Sequence, residues 1–131
     1  MTFTKLVSQY ERLVLVRPRE VDEGLLEQIN VAVAALAGEA RVVIDARAMR
    51  VLSREQAERV RMLEIPKAAR EAFLAGSSAI RMMQASRVAR VYEVETRRVF
   101  EEAKALLEWM TSAVSPKELA RMRVFLEEQV P

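Results

Sequence analysis

Residues 41–56 read RVVIDARAMRVLSREQ, and the order of features along them decides the fold. Val42, Val43 and Ile44 form a short apolar run that Asp45 cuts off. A continuous apolar run of this length marks a strand buried on both faces, as in a parallel sheet. Ser53 with Gln56 three positions later is a capping box that opens a helix. Strand, carboxylate, loop and capped helix therefore follow one another, and turns of this kind carry sites in helix-flanked sheets.

Upstream, Lys5–Gln9 and Arg12–Val16 have the composition of strands joined tightly at Tyr10 and Glu11. Pro18 ends the second because it cannot donate to a ladder. Asp22 is placed to cap a helix whose face is Leu25, Ile29, Ala32 and Leu36, flanked by Leu26 and Val33. Gly38 stands where a left-handed cap would close it.

Downstream, Ala57, Val60 and Leu63 give the next helix its stripe. Pro66 interrupts it, either as a kink or as the first residue of a second helix reaching Ala75, and Gly76 closes the segment. Ser77–Met83 is expected to be a strand, because Ile80 and Met82 alternate with Arg81 and Met83. Beyond Ser86 the pattern favours a short helix around Val88, Val91 and Tyr92, and then a strand over Thr96–Phe100. A helix built on Ala103, Leu106, Leu107 and Met110 follows. The competing reading, one helix from Arg87 to Met110, places Glu95 and Arg98 close to its apolar stripe.

Ser115-Pro116-Lys117-Glu118 opens a last helix over residues 115–129, with Leu119, Met122 and Leu126 on its face and Phe125 beside them. No repeat or linker divides residues 1–131, so one domain is expected. The order β-β-α-β-α-β-α-β-α-α predicts an α/β fold with a mixed, largely parallel sheet of about five strands, flanking helices and an extra C-terminal helix.

Composition excludes more than it assigns. The chain has 131 residues, 51% hydrophobic and 31% charged, which suits a folded domain rather than disorder. Its 21 basic and 19 acidic residues leave a formal charge of only +2, so charge alone gives no reason to expect nucleic acid as a partner. Without cysteine there is no disulfide, thiolate chemistry or zinc–sulfur site, which suits a reducing, cytoplasmic setting. Without histidine the usual base near neutrality is missing. Gly24, Gly38 and Gly76 form no phosphate-cradling loop, and no calcium-type loop is present. No catalytic, cofactor-binding or metal-binding set is therefore expected. The longest apolar run, Val31–Ala37, falls far short of the roughly 20 residues needed to span a bilayer, so membrane insertion is not expected.

The candidate partner surface is Asp45, Arg47, Arg50, Ser53 and Arg54. Asp45 could bind a cation or a partner's arginine; equally, it could accept loop N–H groups or pair with Arg47 or Arg50. Ser53 could be a phosphorylation site at a helix start, or simply the helix cap. The arginines at 87, 90, 97 and 98 are interleaved with Glu93 and Glu95, as on a solvated, ion-paired face. Leu63–Arg70 is a remote match to a helix-turn-helix. Phe100 and Trp109 suit a core, or one wall of a ligand pocket.

Three features resemble the STAS domain superfamily, whose simplest members are anti-sigma-factor antagonists with the SpoIIAA-like fold. They are the opening order through Val43-Ile44-Asp45 and its capped helix, an expected strand Ala79–Met83 before a short helix, and Arg98-Val99-Phe100 leading into Ala105-Leu106-Leu107-Glu108-Trp109-Met110. The resemblance covers roughly residues 5 to 111. It implies a non-enzymatic regulatory domain that binds a protein partner through residues 45–56. In the antagonists that loop carries Asp-Ser-Ser-Gly-Leu, with a phosphorylated serine. Here Arg54 or Glu55 falls at the serine and no glycine follows, so the phosphoswitch does not carry over. A second expectation, from the CRAL-TRIO-like relatives, is a carrier for a small apolar ligand or lipid among Met62, Phe73, Met82, Met83, Tyr92, Phe100 and Trp109. An enzyme ranks third. The last helix is a candidate homodimer interface or a lid on the core.

Overall fold

The computed structural model describes residues 7–20, 23–62, 69–89 and 95–128. Within them the chain runs β1 (Val7–Tyr10), β2 (Leu13–Val16), α1 (Glu23–Ala35), β3 (Arg41–Asp45), α2 (Arg54–Met62) and β4 (Arg70–Leu74). It continues through α3 (Ala79–Ala89), β5 (Arg97–Phe100), α4 (Ala103–Met110) and α5 (Pro116–Glu127). The strands lie in the order β1-β2-β3-β4-β5, with β1 and β2 antiparallel and every other neighbouring pair parallel. This is the α/β class with a mixed, largely parallel sheet, and a C-terminal helix is added.

The hairpin turns at Glu11, whose φ of 53° is unusual for a residue with a side chain. Gly38, at φ 84°, ends the turn after α1 as its position predicts. Asp22, Leu63, Pro66, Val91 and Tyr92 lie outside the described residues, as do Lys5 and Leu6 and the side chains of Val60, Met62 and Val88.

Two segments differ from the sequence expectation. Arg70–Leu74, expected to be helical, is the strand β4, and Ala79–Ala89, expected to begin as a strand, is the helix α3. Arg-Glu-Ala-Phe-Leu favours helix locally, but Glu71, Ala72, Phe73 and Leu74 are all buried between layers, and burial overrides a weak local preference. Arg70 therefore begins a strand, not a recognition helix. In α3, Ser78 is the overlooked signal: its hydroxyl accepts the Arg81 N–H and its carbonyl accepts the Met82 N–H. The strand β5 separates α3 from α4, so no single helix spans Arg87 to Met110.

Strand alternation divides the core in two. Leu13, Leu15, Val43, Ala72, Leu74 and Phe100 face α4 and α5, where they meet Leu106, Met110, Met122 and Leu126. Val14, Val16 and Val42 face α1 and meet Leu25, Ile29 and Val33. Leu26 extends this second layer to Leu52 and Ala57, which brings in α2.

Candidate functional site

Asp45 ends β3 on the α5 side of the sheet and has no exposed surface. Its Oδ1 accepts the Arg47 amide at 3.2 Å and Arg47 Nε at 2.8 Å. Its Oδ2 accepts Arg47 Nη2 at 2.9 Å and Arg17 Nε at 3.0 Å. Burial pushes the carboxyl up, but hydrogen bonds from the Arg47 and Arg17 side chains, the Arg47 amide and the Arg47 charge outweigh it. The carboxyl is held below its ordinary range, and the same pairing raises Arg47. An acid this strong, with both oxygens occupied, is neither a general base nor an open cation ligand.

The two guanidinium groups then reach the end of α5. Arg47 Nη2 donates to the Leu126 carbonyl at 2.8 Å, and Arg17 Nη2 donates to the Phe125 carbonyl. Arg17 also pairs with Glu128 at 2.7 Å and stacks 4.1 Å over the Phe125 ring. No basic residue occupies the last turn of α5, so Arg17 and Arg47 supply the positive charge that its C-terminus favours. Sequence reading missed Arg17. The available signal is its strand parity: it continues the Leu13, Leu15 side, which is also the side of Asp45.

The remaining candidates face outward. Arg50 is exposed and pairs with the exposed Glu20 at 2.9 Å. Ser53 forms the expected capping box: its hydroxyl accepts the Gln56 N–H at 3.1 Å, and the Gln56 side chain accepts the Ser53 N–H at 3.0 Å. Arg54 is exposed at the first position of α2. Of the five sequence candidates, Asp45 and Arg47 thus serve α5, and Arg50, Ser53 and Arg54 remain at the surface.

Two residues of α3 fix the loop that carries them. Arg81 donates to the carbonyls of Arg47 at 2.8 Å and Met49 at 3.0 Å. The Gln84 amide brackets Leu52, accepting its N–H at 2.9 Å and donating to its carbonyl at 2.7 Å. On the outside of this clamped region Val51, Ile80 and Met83 are each at least half exposed, at 50%, 54% and 51%. Ile80 and Met83 are three positions apart on α3 and so share a helix face.

Inside the same loop lies a cavity of ≈ 70 Å³. Its walls come from α1 (Leu25, Leu26, Ile29, Val33), the strands, Met49, Leu52 and Ala85, and its polar lining residues are Glu71 and Gln84. Glu71 is buried and pairs with Arg97 at 2.9 Å. Of the residues expected to line a carrier pocket, Phe73 does. Phe100 and Trp109 belong to the opposite core, with their rings 5.5 Å apart, and Met83 is exposed. The expectation followed the large side chains, whereas strand alternation sends Phe73 and Phe100 to opposite faces.

Among the described residues no cluster of three His, Cys, Asp or Glu side chains could hold a metal ion, and no helix is long and apolar enough to cross a membrane. Comparison with known proteins finds no matching family model, no matching curated protein and no matching solved structure.

Proposed function

We propose that the chain is a non-enzymatic, STAS-like protein-interaction domain whose partner surface is the β3–α2 loop together with the first turns of α3. The observation that carries this reading is the clamp. Arg81 and Gln84 tie the loop backbone to α3 at Arg47, Met49 and Leu52 while Arg50, Val51, Ser53, Arg54, Ile80 and Met83 stay exposed around it. A tethered backbone has a smaller ordering cost to meet on binding, and apolar side chains ringed by charge are the usual anchors of an interface. Arg54→Glu and Ile80→Glu should each weaken partner capture at least tenfold and leave the circular dichroism melt nearly unchanged. Val124→Glu, at a residue 60% exposed on α5, is the control and should capture normally. Equal capture by all three variants would sink the assignment.

A second reading, a carrier for a small apolar molecule, is supported by the cavity beneath that loop. Native mass spectrometry of protein purified from its own host tests it, and protein with no bound molecule counts against it.

A further inference from the structure

The β3–α2 loop has an inside and an outside. Met49 and Leu52 line the cavity, whereas Arg50 and Val51 between them face solvent. The clamp is two-sided as well, because Gln84 brackets the Leu52 backbone and also lines the cavity, next to Ala85. The geometry points to an effector site: the cavity takes a small neutral apolar molecule, and its occupancy sets the posture of the surface that carries Arg50 and Val51. This rests on the interaction reading for the outer surface and adds the ligand that regulates it.

The lining selects the ligand. Both ends of the Gln84 amide are already engaged by Leu52, and the Glu71 carboxylate faces Arg97. An anionic ligand would meet the Glu71 charge and find no lysine or arginine among the described residues of the wall, and a cationic one would have to compete with Arg97. A neutral molecule without strong hydrogen-bonding groups meets neither obstacle. At ≈ 70 Å³ the cavity is about half the size of an engineered apolar cavity of ~150 Å³ that takes up benzene, so it suits a single small ring or a short branched chain rather than a long-chain lipid. Such a molecule restores the dispersion contacts that the void forfeits, including those to Met49 and Leu52. The loop should therefore be held more firmly when the cavity is filled. Any change in partner affinity must be matched by the same change in ligand affinity.

The test is an NMR titration of the full chain with toluene as neutral probe and laurate as anionic probe. Toluene should saturably shift the methyl signals of Leu25, Ile29 and Val33 and, with the same midpoint, the backbone amides of residues 50–53. It should also slow hydrogen exchange at the Leu52 amide at least threefold, and laurate should do none of these things. Ala85→Leu and, independently, Val33→Phe fill the space and should abolish both sets of shifts. Methyl shifts with silent loop amides would overturn the coupling and leave the carrier reading standing. An absence of methyl shifts would overturn the ligand assignment and leave the interaction surface untouched. Laurate binding as tightly as toluene would overturn the neutral class, and loop shifts that survive both filling variants would place the probe on the surface instead.

Discussion

The two faces of the sheet are closed by different means. On the α4/α5 face, strand-borne arginines reach over the core and hold helix-end carbonyls. Arg70 donates to Trp109 in the last turn of α4 and Arg41 to Ala113 just beyond it, and Arg17 and Arg47 hold Phe125 and Leu126 at the end of α5. Neither α4 nor α5 has a basic residue in its own last turn. The sheet thus supplies the charge that the helix dipoles lack, over a core in which Leu106, Met110, Met122 and Leu126 meet the strands. On the other face Gln84 and Arg81 tie a loop to α3, the Glu71–Arg97 pair is buried within the layer, and a cavity remains beside them. Charge on one face anchors helix ends. On the other, a helix anchors a loop over a cavity.

The largest test of this contrast is Asp45→Asn. The substitution removes the carboxylate on which Arg17 and Arg47 converge, and these side chains are only 14% and 29% exposed. Breaking a buried pair by deleting one member costs about 3–5 kcal/mol. Urea unfolding should show that loss, and α5 amides near Leu126 should exchange first. The sign with pH follows from the depressed carboxyl. Its contribution is fully present above the ordinary carboxylate range near ~4 and is lost as pH falls through the lower folded value. Acid should therefore destabilise the native chain more steeply than Asp45→Asn. Parallel acid profiles, or unchanged exchange in α5, would break the anchor account.

A second contrast uses one substitution on both faces. Ala72 is fully buried in the α4/α5 core, and Ala85 lines the cavity. With Ala72 0% exposed, Ala72→Leu must displace its neighbours under α4 and α5, at about 1–3 kcal/mol. Ala85→Leu enters space that already exists and should stay within about 1 kcal/mol of the parent, with the opposite sign available to it. Urea midpoints of the two variants decide it, and equal losses would mean that the void is not a property of the face.

How far each face was legible follows from where its signals lie along the chain. Val42–Asp45, the Ser53 box and the Ser115 box are local, and the structure has them where the sequence puts them. β4 was illegible because the reason for Glu71 to be buried is Arg97, which lies 26 residues away. α3 was misread because Ile80 and Met82 imitate strand alternation for one turn, although Ser78 marks a helix start. The order of elements survived both errors, since helix, strand and helix still fell in turn between β3 and β5. At the site, Asp45 stood out as a carboxylate ending an apolar strand. Arg17 did not, because its partners Phe125 and Glu128 are more than a hundred residues away. The Gln84 clamp was invisible for the same reason: Leu52 is 32 residues from it.

The smallest effect is carried by the two capping boxes, one on each face and built alike. Gln56 is exposed and its side-chain oxygen accepts the Ser53 N–H, so water replaces much of what Gln56→Ala removes. Glu118 is 4% exposed and accepts two N–H groups, from Ser115 at 2.8 Å and from Arg12 across the sheet edge at 3.0 Å. Glu118→Ala leaves both donors without a partner where water reaches poorly, a loss of about 1–3 kcal/mol. Gln56→Ala should cost below about 1 kcal/mol. Urea unfolding of the two variants should therefore differ by about 1 kcal/mol or more, with the helix start at Ser115 the costlier to damage. Equal costs would mean that the Arg12 contact adds nothing, and that α5 is held only at its far end by Arg17 and Arg47.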